Sequence, residues 1–557
     1  MDAGAPPSAA ESGEPPAGVP ARGDLAWDSV PALARDACER FSAREAIVDG
    51  DVRVTFADLG AAIDAAARAF VAAGVEAGDR VAVWAPNCLE WVVALVGLHA
   101  AGGVLVPLNT RFRGVEAAYV LQRSRAVLLC TVRGFLGTDY IDLLAGHECP
   151  HLRQIVVLRG DAGDPPYGPP AGSVTWDSFL SAGSAVEPAE VGRRVDKLNG
   201  ADLSDVIFTS GTTGAPKGVV STHGQTLRAY AEWVSIVGLR AGDRYLIVNP
   251  MFHTFGYKAG IVASLMAGAT MVPLPLFDVE AVIETVARER ITVLPGPPTL
   301  YQSLLAHPRR SELDRSTLRL AVTGAAVIPV ELVRRMRAEL GFETVLTAYG
   351  LTEATGFVTA CRRGDDLATI AATSGRAIDG VEVMVVGEGG GEVPRGEAGE
   401  IVCRGYNVMR GYLEDMEQTA ATIDKDGWLH TGDVGVMDEG GNINITDRKK
   451  DMFIVGGFNA YPAEIENLLL GHPGVARVAV VGIGDGRLGE VGVAFVVPEA
   501  GVTLVPAEII EWGRDVMANF KVPRHVIVVD ALPLNASGKV LKYELRRRAS
   551  EDGILSS

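Results

Sequence analysis

The feature that most restricts this chain is a hydrophobic period that keeps switching between that of a strand and that of a helix. Short β-branched runs occur at Arg80–Trp84, Asp205–Phe208, Tyr245–Val248, Thr270–Val272, Thr292–Leu294, Leu320–Val322 and Thr344–Thr347. Segments of helical period, such as Val279–Arg288 and Pro329–Leu340, lie between them. Parallel strands need long crossovers, and amphipathic helices supply them, so the alternation predicts an α/β fold with mainly parallel sheets. With 557 residues, 48% of them apolar and 22% charged, the chain can bury large cores. Its length suits about three to four domains or subdomains.

The texture changes at both ends. Residues 1–24 carry Pro6, Pro7, Pro15, Pro16 and Pro20 among small and polar residues, which predicts a disordered tail. After Gly375, short strands (Val381–Val386, Gly399–Cys403, Asn442–Thr446) and glycine turns predict a small β-barrel-like subdomain over about 375–447. Beyond Arg448 the pattern predicts a compact α+β unit. It has helices at Pro462–Leu469 and Pro506–Asn519 and strands at Val475–Val481, Gly492–Val497 and His525–Val529. The expected division is therefore 25–447 and 448–557.

Several function classes are disfavoured. A formal charge of −18 repels phosphate backbones at long range, which argues against general nucleic-acid binding. The six cysteines are scattered without a Cys-x-x-Cys pair, which suits a reducing cytosol better than a metal or disulfide framework. No basic and apolar leader follows Met1, so the expected location is cytoplasmic. The one apolar stretch that approaches spanning length, Trp91–Leu108, holds His99, Gly102, Gly103 and Pro107. It reads as a buried helix (Leu89–Ala101) followed by a buried strand (Val104–Pro107), so no integral membrane segment is expected.

The densest chemical signal is Thr209-Ser210-Gly211-Thr212-Thr213-Gly214-Ala215-Pro216-Lys217-Gly218, directly after a predicted strand. Its glycines let backbone N–H groups approach an anion, its hydroxyls add donors, and Lys217 supplies a point charge for phosphate. The spacing is not that of the usual P-loop.

This string resembles the phosphate loop of the ANL superfamily of adenylate-forming enzymes, and the resemblance recurs in order down the chain. Pro250-Met251-Phe252-His253-Thr254-Phe255-Gly256 is similar to the aromatic acyl-pocket motif, and Thr323-Gly324-Ala325-Ala326 to the adenine-side loop. Tyr349-Gly350-Leu351-Thr352-Glu353 resembles the family's pentad, and Gly427-Trp428-Leu429-His430-Thr431-Gly432-Asp433 its ribose motif. Asp447-Arg448-Lys449-Lys450-Asp451 resembles the interdomain hinge, and Pro533-Leu534-Asn535-Ala536-Ser537-Gly538-Lys539 the C-terminal lysine loop.

The resemblance implies ATP, Mg²⁺ and CoA as cofactors or co-substrates and a small carboxylic acid as substrate. It implies a nucleotide site of Thr209, Ser210, Gly211, Thr212, Thr213, Gly214, Lys217, Gly324, Ala325, Ala326, Ala348, Tyr349, Asp433 and Arg448. It also implies a mobile C-terminal domain swinging about Lys450, with Gly456 and Gly457 lining the pantetheine tunnel. The residue chemistry agrees. Glu353 is a hard oxygen ligand for Mg²⁺, and Thr352 can donate to a phosphate oxygen. Asp433 is an acceptor-only carboxylate suited to ribose hydroxyls, and Lys539 brings a cation to the adenylation step. Blander readings stand beside these. Asp433 could be a turn residue, Glu353 a helix N-terminal charge, His253 a packed core histidine, and Lys449 a solvated one.

Three activities compete: a CoA ligase, a carrier-protein loading module and a noncatalytic nucleotide-binding regulatory protein. No carrier segment follows Lys539 in this sequence, which weighs against the second, and the complete set of motif residues weighs against the third. For the acid, Ile247–Gly260, Arg290–Leu305 and Leu346–Ala354 resemble one branch of the family. That branch is the actinobacterial ligases for HIP, a methylhexahydroindanedione propanoate left from steroid rings C and D. A medium- or long-chain fatty acid is the alternative. A bicyclic diketone calls for a wide apolar pocket with a donor or two. His253, Gly256, Tyr257 and Tyr301 are the pocket candidates, with Lys258 read as more often solvent-facing. Arg546-Arg547-Arg548 could meet CoA phosphates or be solvated.

Overall fold

The protein, represented by a computed structural model, is described at residues 27–159, 172–209, 216–324, 330–448, 451–455, 458–460, 462–485, 488–517, 519–534 and 540–551. The tail expected at 1–24 lies outside them.

An eight-stranded sheet forms the largest layer. Its order is Gly411–Tyr412, Lys217–Thr222, Leu203–Thr209, Val104–Pro107, Arg80–Trp84, Leu128–Val132, Gln154–Arg159 and Ser173–Thr175. From Leu203–Thr209 to Ser173–Thr175 every pairing is parallel. Leu203–Thr209 and Lys217–Thr222 form an antiparallel pair, as do Lys217–Thr222 and Gly411–Tyr412. The apolar stretch checked for membrane crossing is the helix Leu89–Ala101 and the strand Val104–Pro107, buried inside this layer. Every residue from Trp91 to Ala101 is buried, which explains why the segment shows no polar face. Among the described residues no helix is long and apolar enough to cross a membrane.

Two four-stranded sheets lie in the same large domain. One runs Arg244–Ile247, Thr270–Pro273, Glu45–Asp49, Val52–Thr55, and the other Leu320–Gly324, Thr344–Tyr349, Thr359–Ala360, Arg376–Ala377. The expected strand Thr292–Leu294 is reduced to one residue, Val293, which bridges Tyr245 on one side and Leu320 on the other. Pro295, Pro297 and Pro298 follow at once and lack the N–H groups that a longer ladder would need. Both of these sheets mix parallel and antiparallel pairs; parallel pairing leads in the first, as in the eight-stranded layer, and antiparallel pairing in the second.

Residues 381–448 form an antiparallel four-stranded sheet in the order Val381–Val386, Ala398–Gly405, Leu429–Met437, Ile443–Arg448. The C-terminal unit is a five-stranded sheet with helices on both faces. Strand alternation divides its core. Val478, Val480, Ala494 and Val496 pack with Ile465, Leu469 and Ile509, whereas Ala479, Val481, Val493 and Phe495 pack with Leu545 and Ala549.

Two buried histidines sit at the centre of the large domain. The rings of His99 and His223 meet edge to face at 4.9 Å. His99 Nε2 lies 2.8 Å from the Ser204 carbonyl, and His223 Nδ1 accepts from Val30 N at 3.4 Å. Burial pulls the His99 pKa down to about 4 and holds His223 well below its ordinary value. Unfolded imidazoles take up a proton near about 6.5, so below that pH the unfolded chain binds more protons than the native one. Stability should therefore be full at neutral pH and fall as pH drops from about 6.5 toward 4. Urea midpoints measured at pH 7.5, 6 and 5 on the wild type and on His99→Gln test this. A midpoint equal at all three values in the wild type would sink it.

Candidate active site

The phosphate-loop candidate sits on the turn of the antiparallel pair Leu203–Thr209/Lys217–Thr222, in which Thr209 faces Lys217. The sheet thus fixes both ends of the loop, and Tyr119 Oη donates to the Pro216 carbonyl at 3.1 Å. Ser210, Gly211, Thr212, Thr213 and Gly214 fall outside the described residues. Lys217 Nζ donates to Gln418 Oε1 at 2.5 Å and lies 5.2 Å from the Tyr412 ring. Tyr412 Oη donates to Glu353 Oε1 at 3.0 Å. Burial, and then the Glu353 charge, push the Tyr412 hydroxyl up, so it stays protonated and acts as a donor. Tyr412 reaches this place because Gly411–Tyr412 pairs with Val219 and Val220, just beyond Lys217. A candidate phosphate-binding cation and a candidate magnesium ligand are therefore tied through one tyrosine.

The adenine and ribose candidates meet at the ends of three strands. Gly324 pairs with Ala348 across the parallel strands Leu320–Gly324 and Thr344–Tyr349. A Cβ on Gly324 would stand 2.3 Å from the Ala348 carbonyl oxygen, so only glycine fits this close approach. Ala325 and Ala326 lie outside the described residues. Tyr349 Oη donates to Asp433 Oδ2 at 2.6 Å, and Asp433 is only 4% exposed. Burial, then the Asp433 charge, push the Tyr349 hydroxyl well up, so it too remains a donor. Thr431 Oγ1 accepts from Asp433 N at 3.1 Å and donates to the Ile401 carbonyl at 2.6 Å, which seats the carboxylate in its strand. Asp433 pairs in register with Arg448 on the neighbouring strand; nothing is described of the Arg448 side chain. Thr352 and Glu353 stand on a short 3₁₀ turn, Thr352–Ala354, where Met409 N donates to the Glu353 carbonyl at 2.8 Å.

On the acid side, the His253 ring caps the turn Thr254–Gly256, with Nδ1 accepting from Phe255 N at 3.3 Å. It is half-buried rather than packed in the core. A Cβ at Gly256 would stand 2.2 Å from the Pro250 carbonyl oxygen, which lets the turn fold back on itself. Buried Asn87 holds the approach to this turn. Its Nδ2 reaches the Ile247 and Asn249 carbonyls at 3.0 Å, and its Oδ1 accepts from Met251 N at 2.7 Å.

Three sequence expectations change here. Lys258 is not solvent-facing: it is fully buried, with Nζ 3.1 Å from Asp205 Oδ1, because the core strand Leu203–Thr209 offers it a carboxylate. The Tyr301 hydroxyl lies 2.7 Å from the Leu294 carbonyl and 3.2 Å from that of Val322, so the backbone takes its proton and it cannot serve as a donor to the acid. The Tyr257 side chain is fully buried beside Ser204. Arg546 and Arg548, both partly exposed, pair with Asp451 and Glu544, each at 2.8 Å. Lys450, Gly456, Gly457 and Lys539 lie outside the described residues. Sequence reading missed Tyr412, Gln418, Tyr119 and Asn87. Only their tertiary placement marks them, since none sits in a run with a chemical pattern of its own.

The comparisons fit this arrangement. Residues 34–413 match the AMP-binding enzyme family, and residues 464–539 match the AMP-binding enzyme C-terminal domain. The chain belongs to the AMP-binding enzyme family. It is 49% identical, over 93% of its length and 98% of the relative's, to the 7a-methyl-1,5-dioxo-octahydroindenyl-propanoyl:CoA ligase of Rhodococcus jostii. The ligase of the same name from Mycobacterium tuberculosis is 48% identical over 93% of this chain and 98% of its own. Among solved structures, ATP-bound MatB from Rhodopseudomonas palustris superposes with a TM-score of 0.82 at 30% identity, covering 94% of this chain and 99% of its own. The anthranilate CoA ligase AuaEII, in complex with anthranoyl-AMP, superposes with a TM-score of 0.85 at 26% identity, covering 96% of this chain and 100% of its own. In an AMP-binding enzyme, a buried carboxylate held by a tyrosine is a natural acceptor for sugar hydroxyls.

Tyr349→Phe should test that link. Losing a hydrogen bond to a charged group costs about 1.5–3 kcal/mol, which predicts a KM for ATP raised by about 10-fold or more. Steady-state kinetics with ATP varied at saturating acid checks this, and an unchanged KM would count against Asp433 as the ribose acceptor.

Proposed function

We propose that this protein is an ATP-dependent, AMP-forming acid–CoA ligase whose acid is the methylhexahydroindanedione propanoate of the steroid C and D rings. The near full-length relationship to two ligases named for that acid carries the reading. A carboxylate oxygen attacks the α-phosphorus of ATP and pyrophosphate leaves. The CoA sulfur then attacks the acyl carbon, AMP leaves, and the thiol proton passes to solvent. The chain's own part is positioning and charge stabilisation.

In this reading the loop 209–218 holds the phosphates with Lys217, and Asp433 and Arg448 hold the ribose. Gly324 to Ala326, with Ala348 and Tyr349, flank the adenine. Glu353, set by Tyr412, would hold Mg²⁺ together with phosphate oxygens. A single oriented carboxylate suits an ion that keeps most of its other ligands as water and phosphate. Bound there, Mg²⁺ would neutralise phosphate charge. Thr352 donates to a phosphate oxygen, and His253 and Gly256 shape the entry of the acid. The chain divides at 447/448, with Lys450 as the hinge. Lys539 serves adenylation, and Gly456 and Gly457 line the path of the CoA thiol. The proposed compartment is the cytoplasm.

A panel of acids tests the substrate. Purified protein with MgATP and CoA receives the bicyclic propanoate, octanoate, palmitate or benzoate, and CoA esters and AMP are read by mass spectrometry. The bicyclic ester should dominate; a dominant fatty acyl ester would keep the ligase and discard the steroid acid. Lys539→Ala tests the division of labour. Pyrophosphate release should fall by about 100-fold or more, while thioester formation from supplied acyl-adenylate stays within a few-fold of wild type. Equal loss in both steps would refute the role given to Lys539.

A further inference from the structure

Lys258 is the least expected group in the core. It lies on a π-helical turn, Tyr257–Val262, that continues directly from the His253–Gly256 segment. Single π-helical turns cost regular hydrogen bonding and cluster at functional sites. Its ammonium is sealed from solvent, and Asp205 Oδ1 at 3.1 Å is its one acidic partner among the described residues. The other Asp205 oxygen is taken by Ser204 Oγ at 2.6 Å. An ammonium carries three N–H donors, and one carboxylate oxygen can satisfy one of them well. No further oxygen among the described residues accepts from Nζ. Burial pulls the Lys258 pKa down, and Asp205 opposes that pull. A buried ion pair with donors to spare is a costly way to hold a helix to a strand, because apolar residues of similar size do so at no electrostatic cost.

We propose that Lys258 is a specificity-determining residue. Its spare N–H groups donate to a ketone oxygen on the acid, so that the protein selects carboxylic acids bearing a neutral carbonyl remote from the carboxylate. The inference rests on the reading under Proposed function. Asp205 is the positioning residue, since it keeps the ammonium charged and aimed from the strand that also carries the phosphate loop. Elimination supports the choice. Of the three polar candidates in this region, the Tyr301 hydroxyl already donates to backbone carbonyls. The Tyr257 hydroxyl, buried beside Ser204, also lacks a hydrogen-bond partner among the described residues, but it is neutral and offers one donor where the ammonium offers three. When the acid lacks the carbonyl, the ammonium loses its partner in a dry site. That loss weakens binding of the analogue far more than the missing oxygen would in water.

The test compares the bicyclic diketone propanoate with the same skeleton bearing methylenes in place of both ketones. Pyrophosphate release is measured for wild type, Lys258→Met, and the double variant Asp205→Asn/Lys258→Met, which removes the partner charge as well. ATP binding by calorimetry reports whether each variant is folded. Wild type should favour the diketone by about 10- to 100-fold in kcat/KM. In the variants the ratio should fall to within about threefold, chiefly through a raised KM for the diketone. Should the single variant not fold, the double variant is read by the same ratio. Isotope-edited infrared of the diketone bound to wild type gives an independent reading, in which a ketone stretch shifted to lower frequency is expected. A ratio that survives in a folded variant, or an unshifted ketone, overturns the role of Lys258 and leaves the proposed substrate standing. Wild type that activates neither bicyclic acid overturns both.

Discussion

The strand Leu203–Thr209 is the element on which the site depends. At its C-terminal end, the antiparallel pairing with Lys217–Thr222 fixes both ends of the phosphate loop. On one side it pairs with Val104–Pro107, which joins it to the parallel layer. Near its start, Asp205 meets Lys258 on the π-helical turn, while the Ser204 carbonyl meets His99. A shift of one residue in this strand would reverse every side chain and break all of these contacts together. The two flanks of the candidate phosphate loop and the turn that carries Lys258 are therefore tied to one strand.

A second constraint gathers the nucleotide-facing groups. Tyrosine hydroxyls held in their protonated form by burial and nearby carboxylates orient Asp433 and Glu353. Each of the two bonds joins different parts of the large domain. Tyr349 ends a strand of one sheet and Asp433 lies in another, while Tyr412 stands on the edge strand beside Lys217. A carboxylate in a partly dry site has few ways to choose its rotamer, and a fixed phenol makes that choice for it. The site is in this sense assembled by side chains that bridge sheets.

The acid side follows different rules. Phosphate and ribose call for charges and donors at set places, which any enzyme of this family must supply. The acid is recognised by the shape and the few polar atoms of a largely apolar wall. On the proposed acid side, the glycine at 256 and the amide of Asn87 control the backbone path, and Lys258 pairs with Asp205 in the core.

Much of this was legible in the residues alone. The run Arg80–Trp84 and the segments Leu89–Ala101 and Val104–Pro107 announced their structure, because period and length leave strands and buried helices few alternatives. The string 209–218 stands out because glycine, hydroxyl and lysine at close spacing form a local pattern, and its role is part of the proposal. Thr292–Leu294 was not, because the prolines after it decide how far a ladder can run. Lys258 was read as solvent-facing because a lysine alone belongs in water, and only the fold brings Asp205 to it. Tyr301 read as a donor to the acid because its sequence shows no partner; the fold turns its hydroxyl onto the Leu294 and Val322 carbonyls. The sequence by itself thus determined the period of each element and the chemistry of each motif, which are local properties. Only the tertiary structure decided which buried charge meets which and which hydroxyls are already spent, because those pairings join residues far apart in the chain.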